Sequence, residues 1–99
     1  LRIARLPESG SHQALLAQLA PGARVPAHRH NAGEMTLILQ GGYSDEHGAY
    51  KKGDLVISEA GSIHRPVADV NEGCTCIVVT QTLPRFTGRV YSVLNIFIR

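Results

Sequence analysis

The sequence lacks tryptophan and has only one methionine and two cysteines among its 99 residues. It also lacks any apolar run near the roughly 20 residues that a membrane-spanning helix requires, and it does not begin with the basic and apolar order of a signal peptide. The net charge of +2 is small and the lysines and arginines are scattered, which argues against binding to nucleic acid. We therefore expect a cytoplasmic protein that binds neither membranes nor nucleic acids.

The two cysteines, Cys74 and Cys76, are separated by one residue. On a strand their Cα atoms would lie about 6.5 Å apart on the same side, which is near the upper limit for a disulfide. We expect two thiols, as in a reducing compartment. They could be small apolar residues of a buried strand or a redox-active pair, and the sequence favours the first interpretation.

The length suits a single domain, which we expect to span residues 1–99. The chain begins with Leu1 rather than methionine, so we expect it to be part of a longer protein. A closed or two-sheet β architecture is one way for so short a chain to bury a core.

Glycine and proline recur every 8–12 residues, a rhythm typical of a β-sandwich or barrel. The sequence therefore predicts an all-β fold, with strands at 14–19, 24–27, 35–40, 55–58 and 74–80, a short strand that starts at Tyr43 and a stub at 50–51. Gly41 and Gly42 are expected to end the strand at 35–40. Two segments remain open, because 13–20 could form a helix and 90–97 could be a last strand or a short helix.

A cluster of metal-ligand residue types lies between Gly22 and Gly41. His28 and His30 are two residues apart, so on a strand both rings leave the same face and can reach one ion. Glu34 follows after a short loop and would face the same interior from the start of the next strand. His64, which follows a glycine-containing turn, is the natural fourth ligand.

Each of these residues also has an ordinary interpretation. A His-x-His pair arises by chance, and Glu34 alone could be a surface charge. It is the combination with His64 and the flanking glycines that predicts a site for zinc, iron, manganese, nickel or copper. His12 and His47 lack such a setting, and we expect both to be exposed.

The spacing in this stretch resembles the first motif of the cupin superfamily, G-x5-H-x-H-x3-E-x6-G, at every fixed position from Gly22 to Gly41. The second motif, G-x5-P-x-G-x2-H-x3-N, is matched at Gly53, Gly61 and His64. Glu59 and Ala68 replace its proline and asparagine. The resemblance implies a cupin jelly-roll barrel, also called a double-stranded β-helix, with its core motifs in residues 22–68. It also implies His28, His30, Glu34 and His64 as the metal ligands.

A narrower resemblance is carried by YSDEHGAYKKGDLVISEAGSIHRPVA at 43–68, CTCIVV at 74–79 and LPRFTGRV at 83–90. These segments resemble the C-terminal cupin domain of ChrR-type anti-sigma factors. The resemblance implies zinc binding and a regulatory role in the response to oxidative signals such as singlet oxygen. In that family a separate N-terminal domain with a His-x3-Cys-x2-Cys pattern holds the sigma factor. This chain lacks that pattern, so a sigma factor is expected to bind only through a separate domain.

Three functions remain open at this stage. The first is a metal-binding sensor or regulatory half of a transcription regulator, with no catalytic residue. The second is a small metal-dependent enzyme of dioxygenase or isomerase type, in which Thr36, Tyr43, Glu59 or Arg65 could assist. The third is a simple binding module. The apolar ending at 90–98 could complete the core or form a dimer contact, and we expect a homodimer.

Overall fold

The computed structural model describes residues 2–7, 12–29, 33–80 and 85–86, and of residues 28–29 and 85–86 it describes the backbone alone. Within these ranges the chain forms ten strands and no helix. The strands are β1 (Arg2–Arg5), β2 (Gln13–Leu19), β3 (His28–Arg29), β4 (Glu34–Asp45), β5 (Gly48–Lys51), β6 (Leu55–Ser58), β7 (Ile63–His64), β8 (Val67–Ala68), β9 (Cys74–Thr80) and β10 (Arg85–Phe86). The predicted all-β class is confirmed.

All strand pairs are antiparallel, and they form two sheets. The larger sheet has the order β1-β2-β9-β4-β5, with β6 and β8 also paired to β4, and the smaller has the order β10-β3-β7. The central strands β4 and β9 pair over most of their lengths. The candidate ligands are therefore divided between the sheets, with Glu34 on β4 and His64 on β7.

The segment whose sequence allowed a helix is strand β2. Leu15, Ala17 and Leu19 are buried at alternate positions, which is the period of a strand. All seven residues of β2 pair with β9, from Gln13 opposite Thr80 to Leu19 opposite Cys74. Tertiary pairing therefore overrides the helix propensity of alanine, leucine and glutamine.

The prediction that Gly41 and Gly42 end a strand is wrong, because β4 continues through both residues to Asp45. Its early part pairs with β9 and β6, and its last part pairs with β5 and β8. The register shifts between Ile38 and Gln40 as the strand approaches this change of partner. Both glycines allow neighbouring backbones to approach closely, Gly73 at Gly41 and Tyr50 at Gly42.

The core is formed by the inward side chains of β2, β4 and β9, Tyr43 among them, together with Ala68 of β8. Both cysteines are free thiols buried in this core, as predicted. Cys76 donates a hydrogen bond to Cys74, which lowers the pKa of Cys74 and, together with burial, raises the pKa of Cys76. The two thiols pack against apolar neighbours, in line with the interpretation as small core residues.

Other predictions have mixed outcomes. Strands 55–58 and 74–80 are confirmed at both ends, and His12 and His47 are exposed as expected. The predicted strand at 24–27 is wrong, since only Arg24 makes a bridge, to Val67, in a stretch that contains a proline without an amide hydrogen. The segment 90–97, with the rest of the apolar ending, lies outside the described residues. No helix in the described ranges is long and apolar enough to cross a membrane.

Candidate metal centre

The smaller sheet positions two candidate ligands, His28 and His64. Strand β3 pairs with β7 so that the backbone of His28 lies directly opposite that of His64. Paired residues of an antiparallel sheet are neighbours on one face, with Cα atoms about 4.5–5.5 Å apart. The side chain of His28 and the whole of His30 lie outside the described residues, so the prediction that their rings share one face stays a prediction.

Glu34 is the first residue of β4, as the sequence predicted. Alternate residues of β4 are buried from this point, so Glu34, Thr36 and Ile38 share the inner face, while Met35 and Leu37 face outward. The Glu34 residue is only 7% exposed. A carboxylate is seldom buried to this extent without a partner or a metal ion, and Glu34 does make an interaction within the structure.

His64 is held by a carboxylate that the sequence analysis did not identify. The Nδ1 atom of His64 lies 3.0 Å from Oδ2 of Asp45, with both side chains less than a tenth exposed. The carboxylate accepts the Nδ1 proton, so the neutral ring carries its lone pair on Nε2. This is the tautomer that a metal ligand needs, and ligating histidines usually donate their other N–H to such an acceptor.

The Asp45 carboxylate is fully engaged. Its other oxygen, Oδ1, accepts the backbone N–H of His47 at 2.8 Å and that of Gly48 at 3.2 Å. Burial alone would raise the pKa of Asp45, but the hydrogen bonds from His64, His47 and Gly48 outweigh it and lower the pKa below its ordinary value. Asp45 is therefore anionic at neutral pH and fixed in the orientation that His64 requires.

The next residue of the same turn reinforces this contact. Glu46 accepts the backbone N–H of Arg65 at 3.0 Å, and its carboxylate lies 3.8 Å from the Arg65 guanidinium. Two consecutive carboxylates thus hold two consecutive residues of the β7 region. The ion pair is exposed and weak by itself, but the backbone hydrogen bond ties the turn to the residue after His64.

The turn before His64 is held without the proline of the family motif. Glu59 occupies that position, and its carbonyl oxygen accepts the Ser62 hydroxyl at 2.7 Å and the Ser62 backbone N–H at 3.3 Å. The turn then leads through Ile63 to His64, whose ring is buried. Hydrogen bonding by Ser62 therefore supplies the local order that a proline would otherwise provide.

Together these features suit a metal ion as far as the described side chains extend. His64 and Glu34 are both buried, one is oriented by a carboxylate, and imidazole and carboxylate are ligands for borderline divalent ions. Among the described side chains alone, no group of three histidine, cysteine, aspartate or glutamate residues is placed to hold an ion. Further ligands would have to come from outside the described side chains, where His28 and His30 stay the predicted ones.

A cavity of about 230 Å³ lies against His64. Its walls include Asp45, His47, Tyr50, Ser58 and Glu59. Of the residues considered as catalytic helpers, only Glu59 lines this cavity. Thr36 and Tyr43 are buried elsewhere on β4, and Arg65 is an exposed partner of Glu46.

The ring of Tyr43 packs against that of Tyr50 in the core. The ring centroids are 5.1 Å apart at an interplanar angle of 53°. Burial and the charge of Asp45 raise the pKa of Tyr43, so its hydroxyl stays protonated. We therefore assign Tyr43 to packing rather than to acid–base chemistry.

Replacing Asp45 with asparagine tests its role beside His64. Asparagine preserves the shape but removes the charge that stabilises the required tautomer, so we expect metal affinity to fall about 10–100-fold. Because folding lowers the pKa of Asp45, its carboxylate stabilises the apo protein above the ordinary pKa of about 3.9, and this contribution is lost as the pH falls through the folded-state value. Chelator competition would measure the affinity, and acid unfolding the stability.

Asp54→Asn is the matched control. The Asp54 carboxylate accepts the Lys51 backbone N–H at 2.9 Å in a different turn, so this change removes the same charge without touching His64. Equal effects of the two substitutions on metal affinity would contradict the assigned role of Asp45.

Comparison with known proteins agrees with the fold and the motifs. Residues 1–84 match the family model described as the ChrR cupin-like domain. The chain is 34% identical over all of its 99 residues to the anti-sigma-E factor ChrR of Cereibacter sphaeroides, of which it covers 46%. The chain thus spans about half the length of this relative.

Two solved structures illustrate the similarity. The crystal structure of Rhodobacter sphaeroides SigE in complex with the anti-sigma ChrR matches 79% of this chain and 42% of the other, with a TM-score of 0.75 and 37% identity. An acetylacetone dioxygenase from Acinetobacter johnsonii matches 90% of this chain and 64% of the other, with a TM-score of 0.76 but 12% identity, which shows the fold alone. The fold is that of the cupins, as predicted, and the chain belongs to the ChrR cupin-like domain family.

Proposed function

We propose that this chain is the metal-binding sensor half of an anti-sigma factor-like transcription regulator. The proposed metal is zinc, and the proposed ligands are His28, His30, Glu34 and His64. The observation that carries the proposal is the buried His64 ring, whose Nδ1 is held by the Asp45 carboxylate at 3.0 Å. A buried, oriented imidazole is typical of a metal ligand.

The donor set favours a regulatory over a catalytic metal. Three imidazoles and one carboxylate fill the four positions of a zinc site, whereas catalytic zinc sites usually keep one position open. Such an ion would link β4 of the larger sheet to β3 and β7 of the smaller sheet. Its loss or displacement would therefore change how the two sheets are held together.

The regulatory role is supported by the relative named as an anti-sigma factor, which matches the whole of this chain. In our proposal the sigma factor binds to a separate N-terminal domain, and this domain responds to oxidative signals in the cytoplasm. A direct consequence is that this chain alone should not bind a sigma factor. Binding by isothermal titration, with the cognate sigma factor, would contradict that division of roles.

An apolar patch on the outside of the larger sheet supports a homodimer. Met35 pairs with Ile57 and Leu37 pairs with Leu55 on the outward face of β4 and β6. These side chains are between 39% and 70% exposed. Exposed aliphatic patches of this kind mark interaction surfaces, and this one carries no charge to oppose a second copy.

The cavity beside His64 favours an enzyme as the alternative. Its polar lining of Tyr50, Ser58 and Glu59 could hold a small substrate next to a metal ion. In that case the metal would be a redox-active ion with an open position, as in a dioxygenase or isomerase of the same superfamily.

Native mass spectrometry of the chain, purified without added metal or a metal-affinity tag, tests these proposals together. We expect one zinc per chain and the mass of a dimer, in the same spectrum. Iron, manganese, nickel or copper would favour the enzyme and call for an oxygen-consumption assay. A folded chain without metal would refute the metal proposal, and a monomer at micromolar concentration would refute the dimer.

A further inference from the structure

A row of polar residues crosses the inner face of the larger sheet at the level of Glu34. In the strand register, Gln13 on β2 lies opposite Thr80 on β9, Thr80 lies opposite Glu34 on β4, and Glu34 lies opposite Ser58 on β6. Thr80 is 2% exposed and Glu34 is 7% exposed. Four polar residues side by side on the buried face are unusual, because burial of polar groups costs free energy unless they are paired.

The next inner row shows that this polarity is local. Two residues along each strand, Leu15, Val78, Thr36 and Val56 lie side by side, and three of them are aliphatic. The polar row is therefore confined to the end of the sheet that carries Glu34. The inner face of the barrel is not polar in general. The polar row is related to the candidate metal centre because it lies beside Glu34.

The side chain of Gln13 has an amide oxygen that lacks a hydrogen bond. Its Oε1 atom is buried and has no hydrogen-bond partner in the part of the chain that the structure describes. An unsatisfied buried acceptor destabilises the folded state. An ionised Glu34 carboxylate has no proton to donate, so it cannot satisfy this oxygen, whereas a cation bound at Glu34 can.

The spacing of the row allows this contact. Gln13 and Glu34 are two strand spacings apart, about 10 Å between Cα atoms. Between them lies Thr80, whose side chain is shorter than either. The two longer side chains can therefore approach each other over Thr80, as two ligands of one ion must.

We propose that Gln13 is a further ligand of the metal ion, supplying its amide oxygen next to the Glu34 carboxylate. The inference rests on the proposed metal site and extends its ligands to a second strand of the larger sheet, β2. The ion would then have five ligands rather than four. A fifth protein ligand would likewise leave no open position for a substrate, in keeping with a regulatory ion.

Cobalt(II) loaded into the complete chain is the probe, because its visible absorption is intense with four ligands and weaker with five. We expect the weaker bands in the unmodified protein and the intense bands in Gln13→Leu, with about tenfold weaker cobalt binding in chelator competition. Gln18→Leu is the control, since Gln18 is an exposed residue of the same strand. An unchanged spectrum and affinity in Gln13→Leu would overturn the inference.

Gln13→Glu tests the same contact should the leucine variant fail to fold. If this oxygen binds the ion, a carboxylate should bind cobalt more tightly than the amide, with the five-ligand spectrum kept. If it does not, the added negative charge can attract cobalt only through space, and the intense four-ligand bands would refute the inference. Failure of the unmodified chain to bind any cobalt would instead refute the metal site itself.

Discussion

Replacing His64 with alanine is expected to reduce the metal content from about one ion per chain to nearly none after dialysis. The variant loses one ligand of the ion. It also removes the imidazole partner of the Asp45 carboxylate, whose side chain is less than a tenth exposed. Loss of one protein ligand usually removes most of the affinity of a zinc site. Elemental analysis by mass spectrometry measures the outcome directly.

The controls separate ligand loss from general damage. His12→Ala removes an exposed histidine and should keep the metal. Circular dichroism should show that both variants remain folded, since absence of metal in an unfolded chain would prove nothing. A variant with alanine at His28, His30 and His64 that still held one equivalent would contradict the assigned ligands.

Replacing Gly41 with alanine is expected to be among the most destabilising single-methyl substitutions in the described part of the chain. Gly41 has a φ of +68°, and a Cβ atom there would meet the backbone carbonyl group of Gly73. Backbone strain costs about 1–3 kcal/mol, and a clash with another backbone cannot be relieved by a side-chain rotation. We expect a loss of more than about 3 kcal/mol of unfolding free energy, measured by urea denaturation.

Two neighbouring substitutions divide this loss into its causes. Gly53→Ala adds a methyl group at a φ of +90° with nothing within 4 Å, so it should cost only the strain. Gly42→Ala places a methyl group against the backbone carbonyl of Tyr50 without a positive φ, so it should cost only the clash. Should Gly41→Ala prove no worse than Gly53→Ala, the close approach of the two backbones would be refuted.

The close approach of other backbones explains why the strand prediction is wrong at Gly41 and Gly42. Glycine in a strand pattern indicates an interruption, a bulge or a close approach of another backbone, and sequence alone does not distinguish them. Here β4 passes from one set of partners to another, and the segment around Gly73 and strand β5 press against it. The glycines therefore do not end the strand. They leave the space that neighbouring backbones need as β4 continues.

Some of the site could be predicted because its information is local. The alternation of residues after Glu34 places this carboxylate on the inner face of β4, and the β-branched run at 74–80 defines β9, without knowledge of any partner. The spacing of His28, His30, Glu34 and His64 identified the family, which the match over residues 1–84 confirms. Short strands of two residues, such as β7, were missed because two residues carry no periodicity.

The sequence by itself determined which residues face inward along each long strand, because side chains alternate with a period of two wherever a strand forms. Only the tertiary structure decided which of those residues meet. Asp45 reaches His64 across 19 residues of sequence, and Gln13 aligns with Glu34 through the intervening strand β9. Register between distant strands depends on the pairing of the whole sheet, and a slip of one residue would reverse every face.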